Sequence, residues 1–189
     1  QHEVRDGLVN GLALGKSVLN MFSYTAAFSV AAAMGGAVET TSVDLAKRSR
    51  ELSTAHFEAN GFSMDNHRLV VMDVFDYFKY AKKKGLSYDL IVIDPPSFAR
   101  NKKRTFSANK DYHKLIAQSL DILSEHGTII ASTNAANMTV QQFKKQLRKG
   151  LGDVSADFVN LQQLPADFTV NPNDPTSNYL KVYTIKVNK

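Results

Sequence analysis

Short apolar runs alternate with longer amphipathic stretches along this chain, a pattern that predicts strands and helices in turn. Residues 17–22 (SVLNMF) predict a strand, followed by a helix over about 25–34. A second strand falls at 38–43, then a helix over about 46–60 that Gly61 stops. A third strand is expected at 68–72, with a helix over about 75–84 and Gly85 just past its end. The run 88–93 (YDLIVI) is apolar almost throughout, which suits a fourth strand covered on both faces. After a polar loop, helical spacing returns over about 112–123 and a fifth strand follows at 127–133 (GTIIAST). A helix over 139–149 takes Thr139 as its N-cap. Two last strands, 154–163 and 179–187, flank a loop rich in Pro and Asn. Five strand–helix units and a terminal strand pair predict an α/β fold. It is a doubly wound, mostly parallel seven-stranded sheet with helices on both faces and an antiparallel C-terminal pair.

The 189 residues suit one domain, 1–189, large enough to bury a core without covalent staples. The chain has no cysteine, which removes disulfides, thiolate metal sites and every thiol nucleophile. Its five histidines, His2, His56, His67, His113 and His126, show no metal-ligand spacing, so no metal is expected. No apolar run reaches the roughly 18–20 residues of a membrane span, and no membrane partner is expected. A formal charge of +5 permits a polyanionic partner without requiring one.

Ligands of such sheets bind beyond the carboxyl ends of the strands, where strand order reverses. Three of the predicted strands end on acids: Asp44 after TTSV, Asp73 after LVVM and Asp94 after LIVI. Acids at strand ends commonly start turns or cap helices. Three in succession on one sheet edge point instead to one cleft. Asp44 lies 22 residues after Phe22, near the spacing of a carboxylate that accepts the ribose hydroxyls of a nucleotide-like cofactor. The first turn, Phe22-Ser23-Tyr24-Thr25-Ala26-Ala27, has no glycine to cradle a pyrophosphate, which argues against NAD. Asp94-Pro95-Pro96-Ser97-Phe98 is a stiff turn: two prolines fix φ and remove donors, leaving carbonyls to accept from an amino or ring N–H.

The combination of VLNMFSYTAAFSVAAAMGGA, SVD, MDVFDYF and YDLIVIDPPSFARNK resembles the class I S-adenosylmethionine-dependent methyltransferases, whose sheet is Rossmann-like. Within that group it is most similar to the bacterial 23S ribosomal-RNA large-subunit methyltransferases of the cytosine-C5 or guanine-N7 type. The resemblance implies S-adenosyl-L-methionine as cofactor, 23S rRNA as partner and the cytoplasm as location. Phe22, Ser23, Tyr24, Thr25 and Ala26 would pass under the methionine part, and Asp44 beside Leu45 would hold the ribose. Asp73 would accept from the adenine amino group, with Val74 on the ring. Asp94, Pro95, Pro96 and Asn134 would line the methyl-transfer site. Gln1 and Arg5 resemble the end of the segment leading into this catalytic domain, so an upstream RNA-binding module is expected.

Two departures bear on chemistry. The family carries Gly-Gly where this chain has Ala26-Ala27; the pair is expected in the first helical turn, where cofactor binding survives. C5-cytosine members carry a cysteine where Asn134 stands, and its absence closes the covalent route and favours a base nitrogen. Ser97, Phe98, Arg100, Lys102, Lys103 and Arg104 form a basic, aromatic-flanked loop suited to RNA, against the plainer reading of a solvated loop. Lys144, Lys145, Arg148 and Lys149 read as a solvated helical face that could extend an RNA track. Two alternatives stand beside the enzyme: a non-catalytic RNA-binding domain of the same fold, and an NAD-type oxidoreductase. Oligomeric state is not legible from these residues.

Overall fold

The computed structural model describes residues 2–189; Gln1 lies outside them. An opening helix, α1 (His2–Leu12), precedes the alternation of strands and helices. Then follow β1 (Ser17–Met21), α2 (Ala27–Met34), β2 (Glu39–Asp44), α3 (Lys47–Ala59), β3 (His67–Val71), α4 (Val74–Lys84) and β4 (Tyr88–Ile93). A hairpin of β5 (Phe98–Arg100) and β6 (Thr105–Ser107) interrupts the pattern before α5 (Ala108–Leu120). The chain closes with β7 (Leu123–Thr133), α6 (Val140–Leu151), β8 (Ser155–Gln162) and β9 (Lys181–Asn188).

Seven strands form one sheet in the order β3-β2-β1-β4-β7-β9-β8, while β5 and β6 pair separately. Pairings from β3 through β7 are parallel, and β9 runs antiparallel to both β7 and β8. The expected architecture therefore holds, and strand order reverses between β1 and β4. Alternation along β1 divides the core. Leu19 and Met21 face the layer of α4, α5 and α6, whereas Val18 packs with Val9, Phe28 and Ala32 of α1 and α2. The strands of the sheet centre are buried along nearly their whole length, as parallel strands covered on both faces must be.

Local chemistry explains the helix ends. The Asp73 carboxylate accepts from Phe75 N and Asp76 N, capping α4, and Gly85 turns left-handed at its far end with φ 66°. Thr139 and Gln142 close a reciprocal capping box on α6. Gly35 ends α2 where a Cβ would overlap the Asn10 carbonyl, so its lack of a side chain lets α1 lie against α2. No helix among the described residues is long and apolar enough to cross a membrane.

Two expectations are corrected, and one element is added that the sequence reading did not predict. The segment before residue 17 is helical, and part of the polar loop after β4 is a hairpin. The fifth strand begins at Leu123 rather than 127, because Ile122 and Leu123 extend the helical spacing of Leu115, Ile116 and Ser119 but pair with the sheet. There Tyr88 pairs with Leu123, and the register shifts before Leu90.

Candidate active site

The first turn carries the site's backbone strain. Phe22, Tyr24 and Ala26 all adopt left-handed conformations, with φ of 60°, 47° and 59°. Ala26 thus lies just before the helix in the left-handed region and only Ala27 is helical, a partial correction of the expected placement. The surroundings hold this geometry in place. Ser23 N donates to Val43 O at 3.0 Å, and Ala26 N donates to Ser23 O at 2.7 Å. From α3, Ser53 Oγ donates to Tyr24 O at 3.1 Å, and His56 Nδ1 reaches Thr25 O at 3.0 Å.

Asp44, at the end of β2, ties that turn to the next helix. Its Oδ2 accepts from Tyr24 N at 2.9 Å, and its Oδ1 accepts from Ala46 N at 2.9 Å and Ser49 Oγ at 3.1 Å. Three bonds fix the carboxylate and leave acceptor capacity on Oδ2. Asp73 is more fully engaged. Its Oδ1 caps α4, and its Oδ2 accepts from Asn101 Nδ2 at 2.8 Å. Asn101 sits in the turn of the β5–β6 hairpin, and its Oδ1 accepts from Lys103 N at 2.8 Å and Arg104 N at 3.0 Å. The basic loop is therefore folded onto the third strand's acid. Lys103 Nζ and Arg104 Nη2 reach Asp76 at 2.7 and 2.9 Å, which holds that carboxyl below its ordinary range, chiefly through the Lys103 hydrogen bond. Arg104 also stacks over Phe75 at 4.9 Å.

Asp94 has a partner the sequence reading did not assign. Arg5 of α1 places Nη1 at 2.7 Å from both Asp94 oxygens and at 3.2 Å from Ser132 Oγ. The two side chains are 3% and 14% exposed, and the guanidinium lies 5.4 Å over the Phe28 ring. The signal was present: Arg5 occupies the stripe continued by Val9 and Ala13, so its charge had to be buried against an acid. Behind Asp94, the Tyr112 hydroxyl donates to Ser132 O at 2.8 Å and lies 3.1 Å from Ile93 O, locking the ends of β4 and β7 together. Burial, and then the Asp94 charge, push this phenol well above its ordinary pKa.

These elements enclose a cavity of about 380 Å3 over the reversal point of the sheet. Phe22, Tyr24, Asp44 and Leu45 line one side; Asp73 and Val74 line another. Asp94, Pro96 and Arg100 close it, with Ala99 and Asn101 as lining residues the sequence did not single out. Ser23 is buried under the turn. Phe98 is 61% exposed on the hairpin. Lys102 and Lys103 line an adjoining hollow that shares Leu45, Asp73 and Asn101. Ser97 O accepts from Ala108 N at 2.9 Å, while the Pro95 and Pro96 carbonyls accept nothing from the described chain. Asn134 is exposed just past β7, outside the cavity lining. Its neighbour Ala135 is held through its carbonyl by the buried Lys181 ammonium at 3.2 Å, whose pKa burial lowers. Among the described residues no cluster of three or more His, Asp or Glu side chains could hold a metal ion.

The carboxylates over a mostly apolar cavity fit a cofactor with hydroxyl and amino donors and a flat ring. A family model described as S-adenosylmethionine-dependent methyltransferase matches residues 3–181. The Bacillus subtilis protein YwbD, which bears the name of a ribosomal RNA large subunit methyltransferase, is 46% identical over 98% of this chain and 48% of its own. Ribosomal RNA large subunit methyltransferase K of Neisseria meningitidis is 35% identical over 85% of this chain and 44% of its own. The solved structure of SMU.776 complexed with SAH is 71% identical with a TM-score of 0.94, covering 98% of this chain and 48% of that one. The chain thus spans about half the length of the relatives it matches. With a family model covering nearly every residue and the acids of three successive strands around one cavity, this chain belongs to the S-adenosylmethionine-dependent methyltransferases.

Proposed function

We propose that residues 1–189 form the catalytic domain of an enzyme that methylates a base nitrogen of ribosomal RNA, in the cytoplasm, by direct transfer from S-adenosylmethionine. The names of its relatives support the RNA substrate. The observation that carries the reading is the cavity where Asp44, Asp73 and Asp94 converge beside Leu45 and Val74. When bound, the cofactor supplies a methyl group already activated on a sulfonium, so orientation rather than proton chemistry is what the protein must add.

The remaining acceptor capacity of Asp44 suits the ribose hydroxyls, while Leu45 and Val74 offer apolar contact to a ring. Asp73 can accept an amino donor only by sharing Oδ2 with Asn101 or by exchanging it. Asp94 is held through both oxygens by Arg5, which suits it to orienting a base. The free Pro95 and Pro96 carbonyls are acceptors for an incoming amino or ring N–H, and Asn134 stands at the neighbouring strand end. Ser97, Phe98, Arg100 and Lys102 are exposed and would meet RNA, and Lys103 and Arg104 would shape that loop through Asp76. With no cysteine in the chain, a thiol adduct at a pyrimidine ring is closed, which supports nitrogen as the target.

Calorimetric titration with S-adenosylmethionine, its demethylated product and NAD, alongside Asp44→Ala, tests the site. Binding of the two sulfur ligands, lost in the variant and absent for NAD, is expected. Methyl transfer to unmodified 23S rRNA then tests the substrate. Failure of a folded protein to bind either sulfur ligand would remove the site assignment.

A further inference from the structure

The four cations of α6 do not share one face. Lys144 Nζ lies 5.2 Å over the Phe158 ring and 5.9 Å over Tyr183, and Arg148 lies 5.0 Å over Phe158. These two cover the aromatic edge of the sheet, a packing role. Lys145 and Lys149, one helical turn apart and about 100° round the helix from that pair, line a groove of about 560 Å3 between α5 and α6. Every other side chain lining that groove is a carboxamide: Asn109, Asn137, Gln142 and Gln146. No acid occurs anywhere in α6, and among the described residues neither lysine has an ion-pair partner.

The groove is preformed. Gln146 is its strut, with Oε1 accepting from His113 and Nε2 donating to Asn109 O at 3.0 Å. Gly150 lets α6 sit against α5, since a Cβ there would meet the Ile116 side chain. Gln142 uses its Oε1 in the cap of α6; among the described residues its Nε2 and the side-chain amides of Asn109 and Asn137 have no hydrogen-bond partner. Two of its lining residues lie close in sequence to the candidate site. Asn137 follows Asn134 in the loop after β7, and Asn109 follows Ala108, whose N–H is bonded to Ser97 O in the proline turn.

From this juxtaposition we infer that the α5–α6 groove binds the sugar–phosphate strand flanking the target nucleotide, a reading that rests on RNA being the substrate. Lys145 and Lys149 neutralise phosphates, and the free amides of Asn109, Asn137 and Gln142 pair with 2′-hydroxyls or base edges. A protein partner suits the groove less well, because its lining has no aliphatic or aromatic centre.

The test measures affinity of the 189-residue chain for a fluorescein-labelled 12-nucleotide single-stranded RNA across a salt series, by anisotropy. Each lost single-strand phosphate contact lowers the slope of log K against log salt by about 0.7, so Lys145→Ala/Lys149→Ala should lower it by about 1.4. That is about 25-fold weaker binding at 0.1 M salt, fading toward 1 M. Lys144→Ala/Arg148→Ala should leave the slope unchanged, and both variants should still bind the demethylated cofactor product. Equal losses in the two variants, or none in the first while wild type binds RNA, would overturn the groove and leave the substrate reading intact. Wild type that binds the cofactor product but no RNA would overturn the groove. Polyglutamate binding lost in Lys145→Ala/Lys149→Ala while RNA binding is unchanged would assign the groove to an acidic protein and also overturn the proposal.

Discussion

Replacing Arg5 with methionine keeps most of the apolar stem beside Phe28 and removes the guanidinium. Asp94, 14% exposed, would lose the partner that reaches both of its oxygens at 2.7 Å, and Ser132 Oγ would lose a donor at 3.2 Å. Stranding one half of a buried ion pair costs about 3–5 kcal/mol, against a total of about 10–15 kcal/mol for a domain of this size. The melting temperature should fall by roughly 6–20 °C at 2–4 °C per kcal/mol. Because the penalty belongs to the stranded charge, Arg5→Met/Asp94→Asn should recover most of it, and a double-mutant cycle should return a coupling of about 2 kcal/mol or more. Urea unfolding of the four proteins at neutral pH measures this. A single-variant loss below about 1 kcal/mol, or a double variant no better than the sum of its singles, would refute the ion pair as the link between α1 and the site.

Other consequences are more local. Ala26 and Ala32 are both fully buried, yet Ala26 is left-handed with φ 59° and Ala32 is helical. Ala26→Gly should be near neutral, because relief of about 1 kcal/mol offsets a lost methyl, whereas Ala32→Gly should cost about 2 kcal/mol; equal losses in urea melts would contradict the strain. His67 is stacked on Phe57 at 4.5 Å, and burial lowers its pKa below 6.5. A lowered imidazole pKa gives stability that is complete above 6.5 and is lost as pH falls from there, so thermal melts should weaken between neutral and mildly acidic pH. His67→Phe should flatten that dependence, and an unchanged slope would clear His67 of it. Asn101→Ala should speed hydrogen exchange at the Lys103 and Arg104 amides by roughly tenfold, for the loss of about 1–2 kcal/mol of local bonding. Exchange at wild-type rates would show that the hairpin turn stands without Asn101.

The α/β alternation and the three acids were readable because each depends on residues close in sequence. A period of two or 3.6 survives in a short window, and an acid after an apolar run lies at a strand end in any parallel sheet. What the pattern concealed depends on pairs far apart. Arg5 and Asp94 are separated by 89 positions, and Asn101 and Asp73 by 28. Arginine at a position of the α1 stripe announces a buried charge but not which acid will meet it. The hairpin has three residues per strand, too few for a period to show, and exists because Asn101 anchors its turn to Asp73 and Asp76 draws in Lys103 and Arg104.

The backbone conformation of the first turn went unread for a different reason. Left-handed backbone normally announces itself through glycine, and here Phe22, Tyr24 and Ala26 adopt it instead. Their conformations are imposed by Val43, Asp44, Ser53 and His56, residues contributed by β2 and α3. The acid expected to face the cofactor is therefore also what holds the turn in place. One carboxylate carries two duties, so removing Asp44 should disturb the backbone of residues 22–26 even where no ligand is bound. A change in the Tyr24 and Ala26 amide chemical shifts of ligand-free Asp44→Ala would bear this out. Shifts confined to Asp44 and its immediate neighbours in sequence would show that the turn is held without it.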